Sequence, residues 1–110
     1  MALPLLENGY YYHYKHAENG DINNYAYEVI GLGLHSEGQH RLEDTLVIYR
    51  ALYESENYKK GKMYDLRPLI MFMENVTKEG KTVKRFQKIS DEKIIAELDE
   101  IKKRMYGDSQ

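Results

Sequence analysis

Short runs rich in strand-forming residues alternate along this chain with polar stretches rich in glycine and asparagine, and one run at helical spacing closes it. Residues 10–15, Tyr10-Tyr11-Tyr12-His13-Tyr14-Lys15, read as a first strand, because aromatic side chains favour a pleated, half-buried surface. Alternation places Tyr10, Tyr12 and Tyr14 on one face and Tyr11, His13 and Lys15 on the other, more polar one. Residues 16–24 carry Asn-Gly-Asp turn chemistry and read as a loop. Residues 25–34 form the second expected strand, weakened at Gly31 and Gly33, where a bulge or bend is expected to aim His35-Ser36-Glu37 away from the sheet. After a connecting turn at 38–44, residues 45–53 alternate as a third strand with one buried face.

The pattern then becomes more broken. Residues 54–61 are a polar, lysine-rich excursion, and 62–66 a short fourth strand ended by Pro68, which donates no backbone hydrogen bond. Residues 69–73 are expected to make one helical turn, with Met71-Phe72-Met73 packed as core. Residues 74–77 resume as strand, and 78–81 form a hairpin turn with Gly80 free to take positive φ. Residues 82–89 form the returning strand. Neither of its faces is cleanly apolar, so it reads as an edge strand defended by its lysines.

The last segment is helical by periodicity. Ile94, Ile95, Leu98, Ile101 and Met105 form one apolar stripe. Ser90 is the expected N-cap, Asp91 and Glu92 suit the positive end of the helix dipole, Lys102, Lys103 and Arg104 suit its negative end, and Gly107 is the stop. Asp99 with Lys103 and Glu100 with Arg104 have the spacing of i,i+4 pairs. A helix with a single stripe must bury it on its own sheet or on another chain. The expected architecture is therefore mainly β: a small SH3-like β-barrel or roll of five to six strands over residues 1–89, opening with a loose arm at 1–9, and one α-helix over 90–110.

Composition narrows the chemistry. A chain of 110 residues fits one domain with a real core. It contains no cysteine, which removes disulfides, thiolate metal sites and thiol nucleophiles. The opening Met1-Ala2-Leu3-Pro4-Leu5-Leu6 lacks a basic n-region and is cut short by Glu7, so it reads as neither signal peptide nor membrane span, and a cytoplasmic location is expected. The net charge of −2 is unevenly spread: residues 1–58 hold 3 basic against 9 acidic side chains, whereas residues 59–88 hold 9 against 3. Such a basic island can meet phosphates, but nucleic-acid binders usually have a net basic domain as well. The simpler expectation is that the island faces the acidic N-terminal half. Eleven tyrosines, two phenylalanines and no tryptophan suit a small barrel whose rings pack inward while hydroxyls reach water; they would also suit a stacking surface for bases or sugars.

Several short motifs resemble a family of small bacterial and phage proteins known as DUF1653, a domain of unknown function. They are Tyr11-x-His13-Tyr14-Lys15; Tyr27-Glu28-Val29-x-Gly31 leading to His35-Ser36-Glu37; Val47-x-Tyr49-x-x-Leu52-Tyr53; Arg67-Pro68-x-x-Met71-Phe72-x-Glu74-x-Val76; and Gly80-Lys81 before Arg85-Phe86. Together they cover about residues 11–87. The resemblance implies an SH3-like barrel and supplies no reaction. The chain departs from the family pattern at His16, where a glycine is usual, in a longer 16–24 loop, and at Lys84, where a proline is usual.

The candidate site residues are Tyr11, His13, His35, Glu37, Tyr49 and Arg67. His13, His35 and Glu37 are zinc-type ligands by chemistry but lack a close-spaced motif such as H-x-x-x-H, so neither a metal nor another cofactor is expected. His35 is poorly placed as a base for Ser36, since neighbours on extended chain point to opposite faces. Ser36 and Glu37 are expected to hydrogen-bond the turn. Arg67 precedes a proline that biases it to extended backbone, and its guanidinium can grip a carboxylate or phosphate through two bonds; the alternative is a salt bridge to Glu37 or Glu74. The leading expectation is a non-catalytic binding module whose site is lined by Tyr11, His13, Tyr49 and Arg67 and bordered by His35 and Glu37. Its partner would be a small anionic ligand, a phosphate or a peptide terminus. One alternative is an enzyme using His13 or His35 as acid or base with Glu37 as orienter. A further alternative is nucleic-acid binding through residues 59–88.

Overall fold

The computed structural model describes residues 6–39 and 41–107. Most of the arm expected at 1–9 and the end of the 90–110 segment thus fall on residues outside the described ones. Among the described residues the fold is mainly β, with seven strands in two sheets and one long C-terminal helix. Strands β1 (Gly9–His13), β2 (Ala26–Leu34) and β3 (Thr45–Ala51) form the centre of an antiparallel sheet. Strand β4 (Asp65–Pro68) pairs on one side with β3, and β7 (Phe86–Lys88) pairs on the other with β1, giving the order β4-β3-β2-β1-β7. The second sheet is the hairpin β5 (Asn75–Lys78) and β6 (Lys81–Lys84).

The strand count of five to six is exceeded because the expected returning strand at 82–89 is two strands. Arg85 separates them: its N–H donates to Glu74 O at 2.9 Å, while its carbonyl accepts from Tyr14 N at 2.8 Å. Before Arg85 the chain pairs with the hairpin, and after it with β1. The five-stranded sheet has β4 and β7 as its edges, and no pairing between described strands closes it into a barrel.

The expected bend in β2 is a bulge. Val29 faces Tyr49 and Gly31 faces Ile48, so Ile30 is an extra residue with no cross-strand partner. The hairpin turn has Gly80 at φ +79, and Glu79 is also left-handed at φ +51, as a two-residue turn between twisted strands requires. The fourth strand starts three residues later, and ends two later, than its alternation predicts. Pro68 belongs to it, opposite Leu46, because on an edge strand its missing N–H costs no ladder bond. The excursion at 54–61 contains a one-turn helix, α1 (Glu56–Lys59), whose N-cap Ser55 accepts from Tyr58 N at 3.2 Å. The expected helical turn after Pro68 is α2 (Leu69–Phe72). Only Leu69 and Phe72 of it are buried; Met71 and Met73, expected in the core, face solvent.

Both faces of the central sheet are covered. On one face α3 (Glu92–Tyr106) lays Leu98, Ile101 and Met105 on Tyr10, Ala26, Leu52 and Ile89, so the terminal helix docks on its own sheet. Glu28 fixes that contact by accepting from Arg50 Nε at 3.0 Å and Lys102 Nζ at 2.9 Å, and the Arg50 guanidinium lies 3.9 Å from the centre of the Tyr106 ring. Asp99, expected to pair with Lys103, instead accepts from the Tyr10 hydroxyl, while Glu100 meets Lys103 at 3.5 Å. The N-cap is Asp91 rather than Ser90, since its carboxylate accepts from both Lys93 N and Ile94 N. Gly107 ends the helix as expected. On the opposite face, Tyr11, Val29, Val47, Tyr49, Leu69, Phe72 and Phe86 form a second core. The face expected to be the polar side of β1 is therefore buried too, with Tyr11 4% exposed.

Candidate functional site

The second core is largely aromatic, and its rings determine what stands above it. Phe72 stacks on Phe86 with centroids 4.0 Å apart, and Tyr11 and Tyr49 meet Phe72 edge-on at 5.6 and 5.4 Å. Tyr27 stands edge-on to Tyr49, Tyr53 and Phe86. Such edge-to-face packing fills space while leaving hydroxyls free to point one way. The Tyr27 and Tyr53 hydroxyls bond each other, and the Tyr49 hydroxyl accepts from Arg67 Nε at 3.1 Å.

These groups line a polar pocket of about 250 Å³, completed by Ser55, Glu56, Asn57 and Asp65. Cross-strand register explains the arrangement. Asp65 lies opposite Tyr49 and Arg67 opposite Val47, so both project to the aromatic face from the edge strand β4. The Arg67 guanidinium sits 5.7 Å from the centre of the Phe86 ring and, among the described residues, has no carboxylate within 4.0 Å. The salt bridge to Glu74 that would have accounted for it does not form, because Glu74 pairs with Arg85 at 2.9 Å. Asn57 Nδ2 donates to Asp65 Oδ1. Burial nevertheless holds the Asp65 carboxyl above its ordinary range, against the opposing pull of Asn57 and Arg67. Burial, reinforced by Tyr53, pushes the Tyr27 hydroxyl far up, so it stays protonated.

Of the six residues predicted from sequence, Tyr49 and Arg67 line this pocket, and Tyr11 supports its aromatic floor through Phe72. His13 lies on the other side of Phe86, ring centroids 5.0 Å apart, and is enclosed by Tyr14 and Tyr25 as well. Burial, helped by Lys15, Arg67 and Arg85, lowers its imidazole to about 4. It is therefore neutral near pH 7, with Nδ1 accepting from Lys15 N at 3.2 Å. His35 and Glu37 are not brought to this place. They occupy an exposed turn at the far end of β2, up to roughly 26 Å along the strand from Ala26, which lies beside β1 next to His13. There His35 Nδ1 accepts from Glu37 N at 3.2 Å and His35 N donates to Asp44 O at 2.9 Å. Gly38 completes that turn where a Cβ would come within 2.7 Å of Asp44 Cγ. The His–Glu pair on which the enzyme alternative depends is thus not assembled, and among the described residues no three His, Asp or Glu side chains converge as a metal site.

Asp65, Asn57, Tyr27 and Tyr53 were missed from sequence. Asp65 carried a signal, since Asp65-x-Arg67 places both side chains on one strand face. Asn57, in a polar loop, carried none.

A larger cleft of about 830 Å³ lies on the far side of His13, between the β1–β2 loop and the hairpin. It is lined by Tyr12, Tyr14, Lys15, Lys78 and Lys84 among others, and Lys78 Nζ is engaged by Tyr14 O at 2.7 Å. The basic island meets the acidic half of the chain in one ion pair among the described residues, Lys88 with Glu7 at 3.6 Å.

The family described as a protein of unknown function (DUF1653) matches residues 9–88. The chain belongs to the DUF1653 family. No curated protein and no solved structure matches it. The DUF1653 region contains every residue of the Arg67 pocket and all seven strands, and stops short of α3. Among the described residues no helix is long and apolar enough to cross a membrane.

Proposed function

We propose that this DUF1653 domain is a non-catalytic binding module, an SH3-like roll whose site is the tyrosine-walled pocket at Arg67, and that its ligand presents an anionic group, a carboxylate or phosphate, to that guanidinium. One observation carries the reading: a half-buried arginine, held through Nε by Tyr49, lines a polar pocket and, among the described residues, has no carboxylate within 4.0 Å. Partly buried arginines are ordinarily paired, because an unpaired charge loses hydration without compensation. The fixed Nε bond leaves the Nη pair pre-oriented for a two-point grip on a planar anion. Tyr11 and His13 act from behind the aromatic floor, while His35 and Glu37 take no part.

The test is a backbone NMR titration with acetate and with inorganic phosphate. Shift changes should cluster on Tyr27, Tyr49, Tyr53 and Arg67 and weaken about tenfold or more in Arg67→Gln, the loss expected when a charge-assisted bond is removed. No shifts there, or equal shifts in the variant, would overturn the assignment. A second reading, nucleic-acid binding in the basic cleft, is favoured by Lys15, Lys78 and Lys84 standing beside Tyr12 and Tyr14. It requires oligonucleotide affinity that falls steeply with salt and shifts confined to that cleft.

A further inference from the structure

The charge pattern around Arg67 narrows the class of ligand. Among the residues lining the pocket, one guanidinium faces two carboxylates, Asp65 and Glu56. A bare anion approaching Arg67 is attracted by one charge and repelled by two, so a ligand carrying negative charge alone is held, but more weakly than one that also brings a positive charge. Asp65 and Arg67 also leave each other unsatisfied. They are two residues apart on one strand face, about 6.6 Å between Cα atoms, and their charged groups stay more than 4.0 Å apart, since they form no salt bridge. Asp65 Oδ1 is occupied by Asn57, and Oδ2 has no protein partner among the described residues. Two half-buried opposite charges on one strand would ordinarily close on each other. Here each keeps an open position toward the same small space.

A second charged cavity, lined by Glu28, Arg50, Asp99 and Lys102, shows what a closed network looks like. Beside α3, Glu28 is taken by both Arg50 and Lys102 and Asp99 by Tyr10, so those carboxylates are already engaged.

Resting on the assignment of the Arg67 pocket as the binding site, we propose that its ligand is a small zwitterion, with a carboxylate gripped by Arg67 and a protonated amine, a few bonds away, received by Asp65 with Glu56 at the rim. Because the two open groups stand more than 4.0 Å apart, probes with one, two and three carbons between amine and carboxylate sample the separations a ligand could bridge. The tyrosine hydroxyls around them supply neutral donors and acceptors, and the volume of about 250 Å³ limits the ligand to a small molecule or a chain end.

The experiment compares matched probes on the intact protein by the same NMR titration: glycine, β-alanine and γ-aminobutyrate against acetate, propionate and butyrate. At least one of the three amino acids should bind about tenfold or more tightly than the matched acid lacking the amine, the contribution of one charge-assisted bond. In Asp65→Asn that preference should vanish while the simple acids bind as well or better. Acids binding the wild-type pocket as tightly as their amino counterparts would overturn the zwitterion and leave the Arg67 site standing. A preference that survives Asp65→Asn would overturn the role of Asp65. No shift at Arg67 with any probe would overturn both the zwitterion and the site.

Discussion

Asp65 is held in the pocket at a cost to the fold. Burial raises its carboxyl above the ordinary 3.8, so the folded protein binds that proton more tightly than the unfolded chain does. The sign follows from linkage: the penalty is absent well below the unfolded value, grows as pH rises through the raised folded value, and is complete above it. Asp65→Asn keeps an acceptor for Asn57 and removes the charge, so at pH 7 it should raise the thermal midpoint by about 2–4 °C, a gain kept small because water at the pocket mouth screens the carboxylate. Melts at pH 7 and near pH 4 check this, and the gain should shrink at the lower pH, where wild-type Asp65 takes up its proton. A residue whose replacement stabilises the fold is one whose presence stability does not explain, as binding groups often are.

The helix α3 is the element on which one face of the sheet depends. Leu98 is fully buried between Tyr10, Ala26 and Leu52 on one side and its own helix on the other. Leu98→Ala should cost about 2–5 kcal/mol, as large-to-small changes in cores do, measured as a fall in the urea midpoint with an unchanged slope. Much of this element was legible in sequence, since apolar spacing alone fixed the stripe and Gly107 its end. Its cap was not. Ser90 and Asp91 are both good caps, and only the path of the chain leaving β7 decides that Asp91 aims its carboxylate at Lys93 N and Ile94 N. Likewise Asp99 had the right spacing for Lys103, but Tyr10, distant in sequence, stands closer. Strand positions were readable from alternation at β2 and β3. They were misread at β4, where the exposed apolar residues Met63 and Tyr64 extend the pattern beyond the paired residues.

At the scale of the molecule, the family region and the folding unit differ. The DUF1653 match ends at residue 88, yet the first core is shared between the sheet and α3. Truncation after Ile89 should leave Tyr10, Ala26 and Leu52 uncovered and abolish the cooperative thermal transition, with the dye binding that marks exposed apolar surface. A truncated chain that still melts cooperatively would mean the sheet and its second core suffice, with α3 an accessory.

Local rules acting over a few residues could be read directly from this sequence. The mainly β character, the bulge before Gly31, the turn at Gly80, the apolar stripe of the last helix and the absence of thiol chemistry all follow from residue type and spacing. The tertiary structure decided what depends on distant parts meeting. It placed His35 and Glu37 at the opposite end of β2 from His13, split the last β segment at Arg85, left the sheet open, and gathered Tyr27, Tyr53, Asn57 and Asp65 around Arg67. The physical reason is that strand pairing sets neighbours by register, and one extra residue at Ile30 or a crossover at Arg85 changes which side chains meet without altering the local pattern that predicts each strand.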